Sequence, residues 1–264
     1  MLPDLLSIGP VTIHTNGLLV ALGFAAAFLL TVRLSRFYGL GFQQVVDMGL
    51  IGMSAGVAGS RLLFILLHYS HFLARPVEML KIWDGGLIFS GGLIAVAGAM
   101  FLYSRKHGIS FLRLGDLWAP GVALGQALGR LGCFMAGCCY GKIMDAPWSI
   151  IFTHPDSLAP LNIPLHPTQL YSALSGFLIT IILLVLHKRR SFEGRILLWF
   201  LILHSTGLLL VERFRGDDRN LVAGSEMSVS QLIALILLIV SVGGLMALTS
   251  KRKSADPLPS ERQD

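Results

Sequence analysis

Charged residues are scarce in this chain. Asp, Glu, Lys and Arg together make up 14% of its 264 residues, whereas a soluble domain carries about 25%. Hydrophobic residues make up 54%, and the mean hydropathy is +0.70. This shortage of charge excludes an ordinary soluble domain. It predicts an all-α integral membrane protein, because each membrane-spanning helix needs about 20 largely apolar residues.

Cysteine is scarce as well, and the three cysteines, Cys133, Cys138 and Cys139, lie close together. Adjacent cysteines rarely pair with each other, because a disulfide needs separated Cα atoms, so no disulfide framework is expected. The three thiols and His166 are potential metal ligands, but their spacing matches no familiar zinc pattern. We therefore predict neither a metal nor a cofactor.

Apolar runs are abundant, and seven of them are long enough to cross a bilayer as helices. The 29 glycines suit helices that pack closely in lipid. We predict a single transmembrane domain over residues 1–250 and a basic-to-polar cytoplasmic tail, expected to be disordered, over residues 251–264. The predicted spans are 13–32, 45–67, 86–103, 115–138, 168–187, 195–212 and 228–249.

The basic residues between the spans are distributed unevenly. Thirteen lie on the side that contains Arg33 and Lys188, and six lie on the side that contains Arg75 and Lys142. By the positive-inside rule the richer side is cytoplasmic, so the N-terminus lies outside and the C-terminus inside. The net charge of +6 is then mostly a topology signal, and we expect no nucleic-acid partner. The loops on the outer side include the segment 141–167, which contains Trp148, five prolines and His166. Chemistry is therefore expected on the outer side.

Arg130 lies in an otherwise uncharged, glycine-rich stretch of the fourth span. At about 1.5 Å per residue it lies roughly 21 Å from Asp116, near the inner boundary, which places it in the outer half of the bilayer. A guanidinium held there either binds a phosphate through its planar fork or pairs with a carboxylate or helix-end carbonyls. Beside it runs a stripe of glycines that allows close helix packing: Gly121, Gly125, Gly129 and Gly132.

Three further charged or titratable residues lie in or beside the predicted spans, and each has both a functional and a structural interpretation. Arg61, in the second span, either makes a functional contact or serves helix packing and snorkelling. Glu212 lies at the end of the sixth span. It is either a base, the partner of an arginine, or part of a solvated run of charged residues. His166 follows a proline-rich loop and is either a proton acceptor or a hydrogen-bonded interfacial histidine.

Five segments of the chain resemble motifs of the prolipoprotein diacylglyceryl transferase family, and they follow one another along the chain in the order expected for that family. Residues 129–141 resemble its signature, and residues 166–171 resemble its second motif. Residues 83–92 resemble its Gly-Gly segment, residues 8–18 its N-terminus and residues 212–217 its sixth-span motif. The resemblance covers nearly the whole chain, and it implies seven spans in the orientation given above.

The resemblance also implies an activity. The family transfers the diacylglyceryl group of phosphatidylglycerol to the thiol of the lipobox cysteine in a prolipoprotein signal peptide, which gives a thioether and releases glycerol phosphate. The implied location is the bilayer of the bacterial cytoplasmic (inner) membrane. Arg130 would bind the phosphate, and Glu212 or His166 would accept the thiol proton. The substrate-binding residues predicted with them are Asn16, Arg61, Ser90, Gln126, Gly132, Cys133, Gly137, Cys138, Gln169, Tyr171 and Arg215.

The sequence departs from the family pattern at several polar positions. Ser90 stands where well-studied members have His, Cys138 where they have Glu, and Leu208 where they have Arg. These departures keep a second hypothesis open, a catalytically silent or altered lipid-binding relative. A small-solute transporter is a third, because buried charges suit a solute path, although the chain has no internal inverted repeat. The other departures are Asn16 for Tyr, Cys133 for Asn and Ser172 for Glu.

Overall fold

The structure, a computed structural model, describes residues 4–8, 11–81, 85–188, 192–217 and 227–255. Most of them are helical, because the chain consists largely of apolar runs with few interruptions by proline. Two 3₁₀ turns, Arg36–Tyr38 and Pro76–Leu80, lie in the connections. The helices are α1 (Thr15–Ser35), α2 (Phe42–Leu67), α3 (Tyr69–Ala74), α4 (Phe89–His107), α5 (Phe111–Ala136), α6 (Thr168–His187), α7 (Arg195–Glu212) and α8 (Val229–Ala255).

Two small antiparallel sheets complete the described secondary structure. Strand β1 (Asp4–Ile8) pairs with β2 (Val11–His14) just before α1. Strand β3 (Ile150–Ile151) pairs with β4 (Pro164–Leu165) in the loop between α5 and α6. That loop has a core of its own, formed by Phe152, Ala159 and Leu165, against which Phe134 of α5 packs.

The chain divides into two compact units. The first unit comprises Met1–Leu30 and Trp118–Asp264, and the second comprises Thr31–Leu117. The single domain expected over residues 1–250 stays a prediction. Helix α8 continues to Ala255, and residues 256–264 of the predicted tail lie outside the described residues.

In the second unit, α2 and α4 pack with their backbones in contact. A Cβ atom added at Gly59 would lie 2.6 Å from the carbonyl oxygen of Gly91, and one at Gly91 would lie 2.5 Å from the carbonyl oxygen of Gly59. Gly92 approaches the carbonyl of Gly56 in the same way. Only hydrogen at these positions permits this separation. Gly91 and Gly92, the second glycine pair of the predicted Gly-Gly segment, therefore serve helix packing.

The first unit is built on a similar contact between α1 and α5. A Cβ atom at Gly23 would lie 2.8 Å from the carbonyl oxygen of Gly125, which confirms that Gly125 allows close packing. Gly176 brings α6 against Ala127 of α5. Helix α8 packs against α7, with Gly244 close to Leu198. The apolar core between α5, α6 and α7 consists of Ala119, Ala123, Ile179, Leu183, Ile196 and Phe200.

Five described helices, α1, α2, α6, α7 and α8, are long and apolar enough to cross a membrane. Large hydrophobic side chains such as Leu29, Leu66 and Ile239 are exposed on them, as expected for surfaces that face lipid. These helices confirm the predicted class of all-α membrane protein. The two other predicted spans, 86–103 and 115–138, fall on helices α4 and α5. Seven spans and their orientation stay predictions.

Candidate functional site

A cleft in the first unit is lined by residues of α5, α6 and α7. Gln126 and Arg130 lie one turn apart on α5, so both side chains reach the same face. The charged residues Glu212 and Arg215 close the cleft at the end of α7. Polar groups therefore converge between helices that are otherwise apolar. The remaining lining residues are Ala123, Ser172, Ser175, Gly176, Ile179, Phe200, His204, Gly207, Leu208 and Val211.

Arg130 is the residue of this cleft whose charge is least compensated. Its side chain is half-buried, and no hydrogen bond or ion pair joins it to any residue that the structure describes. A cation is costly in such a place unless an anion accompanies it. An unengaged guanidinium fork in a cleft is suited to bind a phosphate or carboxylate ligand.

Glu212, by contrast, is surrounded by partners. The hydroxyl of Ser228 donates to its Oε1 at 2.8 Å, and Nη1 of Arg215 lies 3.6 Å from its Oε2. Arg215 in turn donates from Nε to Oδ1 of Asp217 at 3.0 Å and from Nη2 to Oδ2 at 2.8 Å. The Glu212 side chain is 2% exposed. Its carboxylate is thus held in one orientation at the edge of the cleft.

The start of α8 fixes the serine that contacts Glu212. The Ser228 hydroxyl accepts the backbone N–H of Gln231 at 3.1 Å, and the Gln231 side chain accepts the backbone N–H of Ser228 at 2.9 Å. This reciprocal pair is a capping box, which satisfies two free donors at a helix N-terminus. The same hydroxyl therefore caps α8 and orients Glu212.

His166 lies at a junction of three backbone segments. Its N–H donates to Lys142 O at 3.0 Å, and its carbonyl accepts from Gly141 N at 3.1 Å. Its ring lies 5.0 Å from that of Phe214, and Nδ1 lies 3.4 Å from the Tyr171 hydroxyl. A Cβ at Gly141 would lie 2.5 Å from His166 O, so only glycine fits there. His166 and Tyr171 do not line the cleft that contains Arg130.

Two of the predicted glycines have defined packing roles. A Cβ at Gly132 would lie 2.5 Å from Oδ1 of Asn16, which brings the predicted residue Asn16 against α5. This oxygen is buried and has no hydrogen-bond partner in the described part of the chain. Gly137 has φ +77° and packs against the backbone of Leu158 and Ala159, so it ends α5 in a conformation that favours glycine.

The three cysteines converge immediately beyond the end of α5. Their sulfur atoms all lie within 4.8 Å of one another, and all three thiols are free and half-buried. Gln169 donates from Nε2 to Cys138 O at 2.8 Å, and Thr168 donates from Oγ1 to Cys139 O at 2.7 Å. The predicted residue Gln169 thus holds the backbone that carries the thiols.

Arg61 belongs to the second unit, where its donors are fully used. Its Nε, Nη1 and Nη2 atoms donate five hydrogen bonds to backbone carbonyls at 2.6–3.3 Å, and the guanidinium lies 5.6 Å from the ring centroid of Phe64 and 5.4 Å from that of Phe72. Guanidinium has five N–H donors, so none is left for a ligand. A substrate contact by Arg61 stays a prediction. The acceptors are the carbonyls of Glu78, Met79, Lys81, Gly85 and Gly86.

The connection that Arg61 organises carries a charged cluster of its own. Glu78 accepts from Nε2 of His71 at 2.9 Å and lies 3.5 Å from Nη1 of Arg75. The hydrogen bond from His71 and the nearby charge of Arg75 lower the pKa of the Glu78 carboxyl. Ser90 lies half-buried in the first turn of α4. Residues 82–84, part of the predicted Gly-Gly segment, lie outside the described residues.

The structure also brings into the site residues that were not predicted. Ser172 and Ser175 follow Gln169 on α6, and His204 lies two turns before Glu212 on α7. Polar residues recurring every three or four positions on an apolar helix are the sequence signal that would have identified them. The Ser-x-x-Gln pattern at 228–231 is a recognisable capping box. No local pattern predicts the contact of Arg215 with Asp217 in preference to another acid.

Several apolar helices, with a cleft between them that contains Arg130 and the buried carboxylate of Glu212, define a multi-pass membrane protein. The match with known proteins makes this specific. A model of the family "Prolipoprotein diacylglyceryl transferase" matches residues 3–247. The chain belongs to this family.

Curated relatives agree with that assignment. A phosphatidylglycerol--prolipoprotein diacylglyceryl transferase of Clostridium tetani is 36% identical over 242 residues, which cover 92% of this chain and 96% of the relative. The enzyme of the same name from Legionella pneumophila (strain Lens) is 34% identical over 246 residues, 91% and 94% of the two chains. The enzyme of the same name from Bordetella avium is 34% identical over 264 residues, which cover 97% of this chain and 97% of the relative.

Proposed function

We propose that this protein transfers the diacylglyceryl group of phosphatidylglycerol to the thiol of the lipobox cysteine in a prolipoprotein signal peptide. The observation that carries the proposal is the half-buried Arg130, which has no hydrogen-bond or ion-pair partner among the described residues and faces a cleft that also holds Glu212. Family membership and the names of the relatives support the same activity.

The reaction requires charge stabilisation at the leaving group. The sulfur of the peptide cysteine attacks the glycerol carbon that is bonded to the phosphate oxygen, and a C–S bond forms as the C–O bond breaks. The electron pair of the broken bond leaves with glycerol phosphate, which gains one negative charge. Arg130 contacts this phosphate through its fork, in a site where a fixed charge is worth more than in water. Arg215 adds positive charge at the end of the cleft.

The thiol proton needs an acceptor, because the thiolate is the nucleophile. Glu212 is the carboxylate that lines the cleft together with Arg130. Ser228 and Arg215 hold it in place through contacts with its two oxygen atoms. His166 supports the site from the adjoining backbone junction, through its contacts with Gly141 and Phe214. We therefore assign proton acceptance to Glu212 and positioning to His166.

The charge distribution of the loops supports the proposed orientation, and membership of the family supports the proposed membrane. The protein lies in the bacterial cytoplasmic membrane with seven spans, the N-terminus outside and the C-terminus inside. Arg130 then lies in the outer half of the bilayer, at a depth where a lipid headgroup and a signal peptide on the outer side can meet.

One experiment tests the activity. The purified protein is incubated with phosphatidylglycerol vesicles and a lipobox peptide, and the peptide is analysed by mass spectrometry. We expect the diacylglyceryl mass on the cysteine and no modification of a peptide in which serine replaces that cysteine. Phosphatidylglycerol that is bound but not transferred would identify a catalytically silent relative, which the apolar Leu208 in the cleft favours.

A further inference from the structure

A second site lies at the end of α5, where three thiols form a compact group. Cys133 lies in the last turn of the helix, and Cys138 and Cys139 lie just beyond it. Their sulfur atoms lie within 4.8 Å of one another. Within the described residues, this is the one group of three potential metal ligands whose ligand atoms converge in this way. Cys133 and Cys138 are also among the predicted substrate-binding residues, but the proposed reaction steps of Arg130 and Glu212 use none of the three thiols as a reacting group.

The backbone that presents the thiols is fixed by its surroundings. Cys139 adopts φ +58°, a left-handed conformation that is uncommon for a residue with a side chain. The carbonyls of Cys138 and Cys139 accept hydrogen bonds from Gln169 and Thr168, both buried at the start of α6. Because these bonds orient consecutive peptide groups, the two adjacent side chains are directed back towards Cys133. A strained backbone conformation that surrounding hydrogen bonds hold in place is typical of sites that clamp a ligand.

Two positively charged side chains act on this group of thiols. Arg215 and Arg130 both exert an attractive charge on Cys139. The thiolate is the form of cysteine that binds metal ions.

We infer that Cys133, Cys138 and Cys139 bind one soft monovalent cation, Cu(I), as a trigonal trithiolate site. A sulfur–metal distance of about 2.3 Å in a trigonal plane gives sulfur–sulfur distances of about 4.0 Å, so the observed group needs only a small contraction. Thiolate ligands select Cu(I), zinc and iron–sulfur clusters over hard cations, which prefer oxygen. A closed structural zinc site uses four protein ligands, whereas this group offers three.

The positive charges near the thiols agree with the same assignment. Binding displaces the thiol protons to solvent and leaves three thiolates around one monovalent cation, a net charge of minus two. Arg130 and Arg215 both exert an attractive charge on Cys139 and offset part of this negative charge. This conclusion differs from the metal-free site predicted from the cysteine spacing, because spacing alone does not reveal that the turn after α5 folds Cys138 and Cys139 back.

The test begins with the unaltered, reduced full-length protein in detergent. Cu(I) is titrated in competition with a chromophoric Cu(I) chelator, and zinc is titrated in parallel. We expect one equivalent of Cu(I) to bind, a thiolate-to-copper charge-transfer band to appear, and all three cysteines to become protected from alkylation together. Unchanged alkylation at saturating Cu(I), or binding of zinc alone, would overturn the assignment. So would a native disulfide that must be reduced before any copper binds.

Variants then identify the ligands. Cys133→Ser, Cys138→Ser and Cys139→Ser are each expected to lower the Cu(I) affinity at least 100-fold, whereas Met135→Leu, which removes a neighbouring thioether, leaves it unchanged. Retention of full affinity in two of the serine variants contradicts a three-thiolate site. These readouts measure binding, so they are independent of whether the protein transfers diacylglyceryl groups.

Discussion

Oε2 of Glu212 lies 3.6 Å from Nη1 of Arg215, and the two side chains are 2% and 16% exposed. Arg215 also directs two donors to Asp217, so its charge is shared between two carboxylates. The positive charge of Arg215 is therefore already engaged by two carboxylates. Arg130 has no such partner among the described residues, which makes it the cation of the cleft that is available to an incoming phosphate.

Arg130→Lys is expected to lower kcat/KM for diacylglyceryl transfer by about 10- to 100-fold. Lysine keeps the charge but loses the planar fork, and a hydrogen bond to a charged group contributes roughly 1.5–3 kcal/mol. Mass-spectrometric initial rates with a lipobox peptide provide the measurement. The control is Arg33→Lys, which changes an exposed arginine at the end of α1 and should leave the rate unaltered. Equal rates in the two variants would refute the phosphate contact.

Glu212→Gln and His166→Gln should separate the two candidate proton acceptors. A positioned general base contributes about 10²- to 10⁴-fold, and we expect a loss of that size for Glu212→Gln. His166→Gln is expected to cost less than about tenfold, because its ring packs between Phe214 and Tyr171 and does not line the cleft. The rate is measured as a function of pH at saturating peptide.

Ser230→Ala is the control for these two variants, because Ser230 is exposed in the first turn of α8. We expect its transfer rate to equal that of the unaltered protein. The reverse order, with His166→Gln the more damaging variant and its pH profile altered, would transfer the role of base to His166.

The sequence was most informative where a property depends on a single helix. The position of Arg130 beside a small-residue stripe follows from helical periodicity. The contacts of Gly125 with Gly23 and of Gly132 with Asn16 confirm close packing at these two positions, whereas a Cβ at Gly129 would meet nothing within 4 Å. Periodicity does not reveal which partner a long side chain will find. Arg61 was equally consistent with a functional and a structural role, and only the path of the following connection shows that five carbonyls surround it.

Arg61→Lys is expected to destabilise the connection between α3 and α4 rather than to abolish phosphate binding directly. Three ammonium donors at one point cannot reach carbonyls distributed around a planar guanidinium, so at least two charge-assisted hydrogen bonds are lost, for a total of about 3 kcal/mol. We expect a lower unfolding midpoint in detergent and faster proteolysis between residues 75 and 88. Arg75→Lys, at a side chain that is 68% exposed, is the matched control.

The opposite result for Arg61 is equally recognisable. An unchanged unfolding midpoint together with a raised KM for phosphatidylglycerol would support the predicted substrate contact and contradict the structural role.

Gly132 and Gly129 offer a matched pair on one helix, because they lie one turn apart on α5 and differ in what surrounds them. A Cβ at Gly129 meets nothing within 4 Å, whereas one at Gly132 would lie 2.5 Å from Oδ1, 3.2 Å from O and 3.3 Å from Cα of Asn16. In a helix Ala is favoured over Gly by roughly 0.5–1 kcal/mol, so Gly129→Ala should raise the unfolding midpoint slightly or leave it unchanged.

Gly132→Ala is expected to cost about 1–3 kcal/mol, the usual penalty for overpacking, because the backbone of Asn16 must move away from α5. Thermal unfolding of both variants in the same detergent measures the difference. Asn16→Gly removes the clashing side-chain oxygen but not the backbone contacts, so combining it with Gly132→Ala should restore only part of the loss. Equal midpoints for Gly129→Ala and Gly132→Ala would show that α1 and α5 are not in contact at Asn16.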